Sequence, residues 1–210
     1  MAFDNFEEFF LAYKLQAENG CYSWSALDRA IMGVCSARPL HEDVGEVYAK
    51  IRIINRAYLA NLQFGTQDAE WKLAEKFVEC KVDHIIESVR PISNLTIKSL
   101  PILLDAHEAL VNIAHQVTKK VQNSFVSKYL HFHFPDAVPI FDSYAYDAAW
   151  KLAEPPQSQF VLYDHRLNRD YGYYCGSILQ IMAILSDYGV ESPNLKLLDV
   201  ILYGSRKGPT

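Results

Sequence analysis

From Val44 to Leu62 the apolar positions Val44, Val47, Tyr48, Ile51, Ile54, Tyr58 and Leu62 recur every three or four residues. That spacing puts them on one face of a helix and does not fit the two-residue alternation of a half-buried strand. The same period governs most of the chain. Phe6, Phe9, Phe10, Tyr13 and Leu15 make an apolar stripe that ends at Asn19-Gly20, a pair suited to a helix C-terminus. Ser25 and Asp28 have capping-box spacing at the head of Ala26–Cys35, and Pro39 follows its end. Val44–Phe64 is expected as one long helix ending near Gly65, and Ala69–Val89 as another, stopped by Pro91. Pro101 suits the first turn of a helix running to about Lys120. Four more helices are expected near Ser124–Phe134, Asp142–Ala153, Arg169–Tyr188 and Asn194–Tyr203. Only Phe160–Tyr163, within PPQSQFVLYDH, reads as extended. The fold class is therefore all-α, with about nine helices in one domain over 1–210. Arg90–Ser99, rich in Pro, Ser and Asn, is the best boundary between lobes 1–95 and 96–210.

Composition narrows the function classes. Half of the 210 residues are hydrophobic and 21% are charged, as in a soluble globular domain. No apolar run approaches the ~20 residues of a membrane span. The start, MAFDNFEEFF, is acidic and does not read as a secretory signal. Cys21, Cys35, Cys80 and Cys175 are scattered without CxxC spacing. They read as core thiols of a protein kept in a reducing, cytoplasmic compartment, and they rule out a zinc ribbon or iron–sulfur cluster. No metal or other cofactor is expected. The formal charge of −5 and pI of about 5.8 weigh against nucleic-acid binding, whose domains are usually basic. Arg166 with Arg169, and Arg206 with Lys207, are the basic pairs, and solvated surface charge is their simpler reading. Neither a GxGxxG or Walker loop nor an HExxH or GxSxG motif is present.

The chemistry-bearing stretch is Ser124–Trp150, SFVSKYLHFHFPDAVPIFDSYAYDAAW. It reads as a helix, a Pro-bounded apolar bend, and a lone carboxylate, Asp142, opening the next helix. Unsatisfied N–H groups and the helix dipole favour an ionised carboxylate there. Such a group can simply cap the helix, or it can stabilise a cation or activate a water.

Pro135-Asp136-Ala137-Val138-Pro139-Ile140-Phe141-Asp142 resembles the bend of the helix-hairpin-helix DNA glycosylases, the superfamily of 8-oxoguanine DNA glycosylase and endonuclease III. Lys196–Gly204, KLLDVILYG, is similar to the short closing helix of that superfamily, and SKYLHFH…PIFDS looks like a divergent bacterial branch of it. The resemblance implies a two-lobed helical fold, DNA as partner, and Asp142 as the catalytic carboxylate. The family's Gly-rich hairpin has no counterpart, because Lys119-Lys120-Val121-Gln122-Asn123 stands in its place. The position matching the nucleophilic Lys of bifunctional members falls near Ser124, with Lys128 one turn further on. The expected activity is thus monofunctional hydrolysis of the N-glycosidic bond of a damaged or modified base. Asp142 would stabilise the oxocarbenium-like sugar as that bond breaks.

A base held in a pocket needs aromatic faces. Phe141, Tyr144, Tyr171, Tyr173 and Tyr174 are the candidates, with Tyr146, Tyr163 and Trp150 nearby in sequence. Core packing is the simpler reading of the DYGYY tyrosines. Ser124, Lys128, His131, His133, Asn55 and Arg56 are candidates for supporting or backbone-contacting groups. Lys128 stands where it would pair with Asp142, and Asn55-Arg56 where they would meet a phosphate or a neighbouring helix. His131 and His133, two apart on a helix, do not share a face and so do not make a metal pair. The competing reading is a non-catalytic helical module on the same scaffold. It would bind nucleic acid, a nucleotide or a protein partner, in a bacterial defence or stress setting.

Overall fold

Ten helices run along the described residues of the computed structural model, which are 5–19, 25–60, 62, 68–153 and 167–204. They are α1 (Phe6–Asn19), α2 (Ala26–Ala37), α3 (Val44–Ala57), α4 (Ala69–Glu79), α5 (Asp83–Val89), α6 (Leu100–Thr118), α7 (Asn123–His133), α8 (Ser143–Ala153), α9 (Arg169–Asp187) and α10 (Leu195–Gly204). The protein is all-α, and no strand occurs among the described residues. Phe160–Tyr163, Gly20, Gly65, Tyr163, Arg166, Arg206 and Lys207 lie outside them. Among the described residues no helix is long and apolar enough to cross a membrane.

Two connections depart from the expected pattern, and a third, which follows it, closes in the same way. A helix can be closed by a single residue in the left-handed region, a place usually taken by glycine. Here non-glycine residues take it. The helix expected over Val44–Phe64 stops at Ala57, because Leu59 adopts φ 46° and the Ala60 N–H bonds the Asn55 carbonyl at 3.1 Å. The segment Ala69–Val89 is two helices, because Lys81 adopts φ 49° and the Val82 N–H bonds the Phe77 carbonyl at 3.2 Å. Between α6 and α7, Lys119 adopts φ 56°. There the Thr118 hydroxyl donates to the Ala114 carbonyl at 2.9 Å and accepts from the Lys120 N–H at 3.3 Å. The chain therefore turns between these two helices without the glycines of a helix-hairpin-helix.

Helix α7 is the axis of the fold. Nine of its eleven residues are buried, including Ser127, Lys128 and His131, so it is enclosed on all sides rather than amphipathic. It packs on α2, α3 and α6, while α6 also meets α4, α5 and α9. Helix α8 lies between α9 and α10, and α1 closes on α10. At that closure the Asn194 N–H donates to the Tyr13 hydroxyl at 2.9 Å. One hydrophobic cluster runs through all of this, from Phe9 in α1 to Leu202 in α10.

Candidate functional site

The bend between α7 and α8 is fixed from three directions. Its Val138 carbonyl lies 2.6 Å from His131 Nδ1, its Phe141 N–H donates to Ser127 Oγ at 3.0 Å, and its Pro139 carbonyl accepts from the Tyr171 hydroxyl at 3.3 Å. These bonds explain why polar residues sit on a buried helix. Backbone groups that the bend cannot pair with itself would otherwise be stranded in the core. His131 is thus a support of the bend. Burial pushes it down to about 4, so it stays neutral.

The bend delivers Asp142 to the first turn of α8. Asp142 Oδ1 accepts the Tyr144 N–H at 2.9 Å, which makes the residue an N-cap. No second bond to this half-buried carboxylate occurs among the described residues, so Oδ2 remains open. Asp142 lines a cleft of about 810 Å³, within the ~300–1,000 Å³ usual for small-molecule sites. One wall is the Leu59 turn after α3, with Tyr58. A second is Ser124 and Lys128 on α7, and a third is the bend itself, from Ile140 to Tyr144. The last is the face of α10 that carries Lys196, Asp199, Val200 and Tyr203.

Lys128 and Asp142 share this cleft without pairing. The Lys128 ammonium donates to Ser124 Oγ at 2.7 Å, and among the described residues no carboxylate lies within ion-pair distance, 4.0 Å. The side chain is only 3% exposed. Burial pushes its pKa down, against the opposing pull of Asp142 and Asp199. On α10, Lys196 Nζ stands 3.5 Å from Asp199 and 3.7 Å from Asp28. Asp199 lines the cleft, with its side chain 19% exposed. Burial pushes its carboxyl up to about 6, although Lys196 and Lys128 act to lower it. Behind this face, Tyr58 donates a very short hydrogen bond to Asp28. Burial works to raise Asp28, but that bond, the Lys196 charge and Ser25 together hold it below the usual carboxylate range.

Other expected residues go elsewhere. Of the aromatic candidates, Phe141 and Tyr144 line the cleft. Tyr171 and Tyr174 are fully buried in the core, where they back the Phe141 ring at centroid distances of 6.2 and 5.6 Å. Tyr173 packs on Trp150 at 6.0 Å and under the Arg169 guanidinium, and neither it nor Trp150 lines the cleft. Asn55 and Arg56 meet a neighbouring helix. Asn55 Nδ2 donates to Glu70 Oε1 at 2.6 Å, and Arg56 Nε lies 3.4 Å from the same oxygen. His133 sits between His41 and Tyr129, with ring centroids 5.3 Å from each.

Sequence reasoning passed over Tyr58, Leu59, Lys196, Asp199 and Tyr203. The α10 residues carried a signal, since Lys196, Asp199 and Tyr203 are spaced three and four apart and so share one helix face. The Leu59 turn carried none.

The profile of the family HI_0787_N, described as an N-terminal domain, matches residues 10–137, and the chain belongs to this family. No curated protein and no solved structure matches the chain. The matched region holds the Leu59 turn, Ser124 and Lys128. Asp142 and the α10 wall lie beyond it.

Proposed function

We propose that this member of the HI_0787_N family hydrolyses the N-glycosidic bond of a damaged or modified nucleobase, with Asp142 as the carboxylate that stabilises the developing sugar cation. The observation that carries this reading is the position of Asp142. Its Oδ1 caps α8 through the Tyr144 N–H, and the residue lines an 810 Å³ cleft. A cap bond fixes the carboxylate before substrate arrives, and such preorganisation lets a charge act on a transition state without reorganising. Phe141, Tyr144, Tyr58 and Tyr203 supply flat apolar faces for a heterocycle. The resemblance of the bend to that of the DNA glycosylases supports the same chemistry, and with Ser124 at the matching position it supports base release without strand cleavage. A hydrolase with reduced thiols, working on DNA in the cytoplasm, fits the free Cys35, Cys80 and Cys175.

The test is base release from oligonucleotides carrying damaged or modified bases, under single-turnover conditions, with wild type and Asp142→Asn. The expected loss in the variant is about 10²–10³-fold, the usual cost of one electrostatic group. Equal release by both proteins would discard Asp142 as the catalytic residue. A non-catalytic binding module is the second reading. It is favoured by the glycine-free turn at Lys119, which lacks the phosphate-gripping backbone of the glycosylases. Salt-dependent binding without release, unchanged in Asp142→Asn, would establish it.

A further inference from the structure

Two acidic residues line the cleft, Asp142 ahead of α8 and Asp199 on α10, and their surroundings differ. Asp142 is half-buried at the end of a bend, with a backbone N–H on one oxygen. Asp199 on α10 lines the same cleft with its side chain 19% exposed and the Lys196 ammonium 3.5 Å away. An enzyme that breaks a glycosidic bond needs both an ionised carboxylate beside the sugar and a proton for the leaving group. We propose that Asp199 is the acid of this cleft, handing its proton to the departing base while Asp142 faces the sugar. This rests on the N-glycosidic reading of the site and adds the residue which that reading leaves unassigned.

The bookkeeping of the step is closed. The C1′–N bond breaks and its electron pair stays with the base. The Asp199 carboxyl proton moves to a ring nitrogen or carbonyl oxygen of that base. Water adds to C1′, its proton passes to solvent, and the Asp199 carboxylate is reprotonated from solvent. No oxidant or further reactant is needed.

The charged and titratable groups around Asp199 come from each neighbouring element. Lys196 stands beside it on α10, with Asp28 of α2 beyond at 3.7 Å from the same ammonium. Lys128 on α7 and Asp142 at the head of α8 share its cleft with Tyr144, and Tyr58 reaches in from the end of α3. Tyr174 on α9 feels its charge, and Tyr13 of α1 holds the Asn194 N–H just before α10. Burial outweighs the two lysines and keeps the carboxyl protonated up to about pH 6, with the Asp142 charge acting in the same direction. A carboxylic acid that keeps its proton into that range can hand it to a leaving group.

The experiment is single-turnover base release between pH 5 and 8, using duplex oligonucleotides carrying hypoxanthine, uracil, 8-oxoguanine or 7-methylguanine. The first three bases leave as anions unless protonated, whereas 7-methylguanine is already cationic and leaves neutral. Wild type is expected to lose about tenfold per pH unit above pH 6 on the neutral-base substrates, as fits a single required proton. Asp199→Asn should lose at least about 10²-fold on those substrates, become flat with pH, and stay within a few-fold of wild type on 7-methylguanine. Lys196→Gln, which leaves the acid in place and removes a charge that lowers its pKa, should move the wild-type limb to higher pH. Asp142→Asn should lose rate on all four. Equal losses for Asp199→Asn on neutral and cationic bases, or a wild-type profile without the limb, would overturn the assignment and leave the role of Asp142 standing. Release from none of the four by wild type would overturn both.

Discussion

The Nε2 of His41 lies 2.7 Å from the hydroxyl of Tyr129, which joins the loop before α3 to the middle of α7. On its other side His41 Nδ1 is 2.7 Å from Asp83 Oδ1, and the His41 N–H donates to Asp83 Oδ2 at 3.1 Å. Lys50, 1% exposed, reaches the Arg38 and Leu40 carbonyls at 2.9 Å each and His41 Nε2 at 3.3 Å. This network ties α3, α5 and α7 through buried polar groups. Tyr129→Phe removes one member and leaves the ring packing against Phe77. The expected loss is about 1–2 kcal/mol in urea unfolding, the range for a buried hydrogen bond. No loss would show that Lys50 alone satisfies the imidazole.

Acid should weaken the fold before carboxylates protonate. Burial pushes His41 down to about 4, with Lys50 acting in the same direction, and pushes His107 to about 3 and His131 to about 4. The unfolded chain takes up protons at these histidines from about pH 6.5, and the folded chain does not. Stability is therefore full above pH 6.5 and falls as pH drops toward 4, by on the order of 3 kcal/mol for a histidine such as His41. Asp199 acts oppositely, since its raised carboxyl binds a proton in the folded state first. Urea midpoints at pH 7.5, 6 and 5 should decline, and a flat series would contradict neutral burial of these rings.

Lys128→Met should stabilise the protein. Its ammonium is buried and has Ser124 but, among the described residues, no carboxylate within ion-pair distance. An apolar side chain of similar length avoids that desolvation, and a gain of about 1–2 kcal/mol is expected. For a chain of this size that is several degrees in Tm. A fall in Tm would mean that the amine is better satisfied than its contacts show.

Asp142 separates cap from site. Asp142→Ala should cost about 0.5–2 kcal/mol, because the Tyr144 N–H loses its acceptor. Asp142→Asn keeps an acceptor there and should leave the melting temperature nearly unchanged. A large drop for the Asn variant would tie the carboxylate charge to folding rather than to the cleft.

Glu70 offers a test away from the cleft. Its buried carboxylate accepts from Asn55 Nδ2 at 2.6 Å and from Arg52 at 3.2 Å. Glu70→Ala strands the Asn55 amide while the two arginines turn to water, and should cost about 1–3 kcal/mol by urea unfolding.

The helices were legible where their apolar period was unbroken. The spans of α6, α7, α8 and α9 follow from Pro101, the Pro-bounded bend and the stripes on either side. What the sequence hid was where helices close through an ordinary residue. Leu59 and Lys81 adopt left-handed φ with no glycine to mark them, so the ends of α3 and α4 left no local trace. Asp142 was visible because its chemistry is local to one bend. Asp199 was not, because its enclosure depends on α10 meeting α8 and on Lys196 beside it. Tyr171 and Tyr174 illustrate the converse: aromatic residues next to a site in space can stand behind its wall.

The cleft is assembled across the boundary at residue 137 where the family profile ends. The buried amine of Lys128 and the Leu59 turn come from before it, and both proposed reacting carboxylates come from after it. The two sides are interlocked there, since His131 and Ser127 on α7 hold the Val138 carbonyl and the Phe141 N–H beyond it. A fragment ending at residue 137 would therefore leave two buried polar side chains of α7 without their partners, and it would lack both proposed reacting carboxylates.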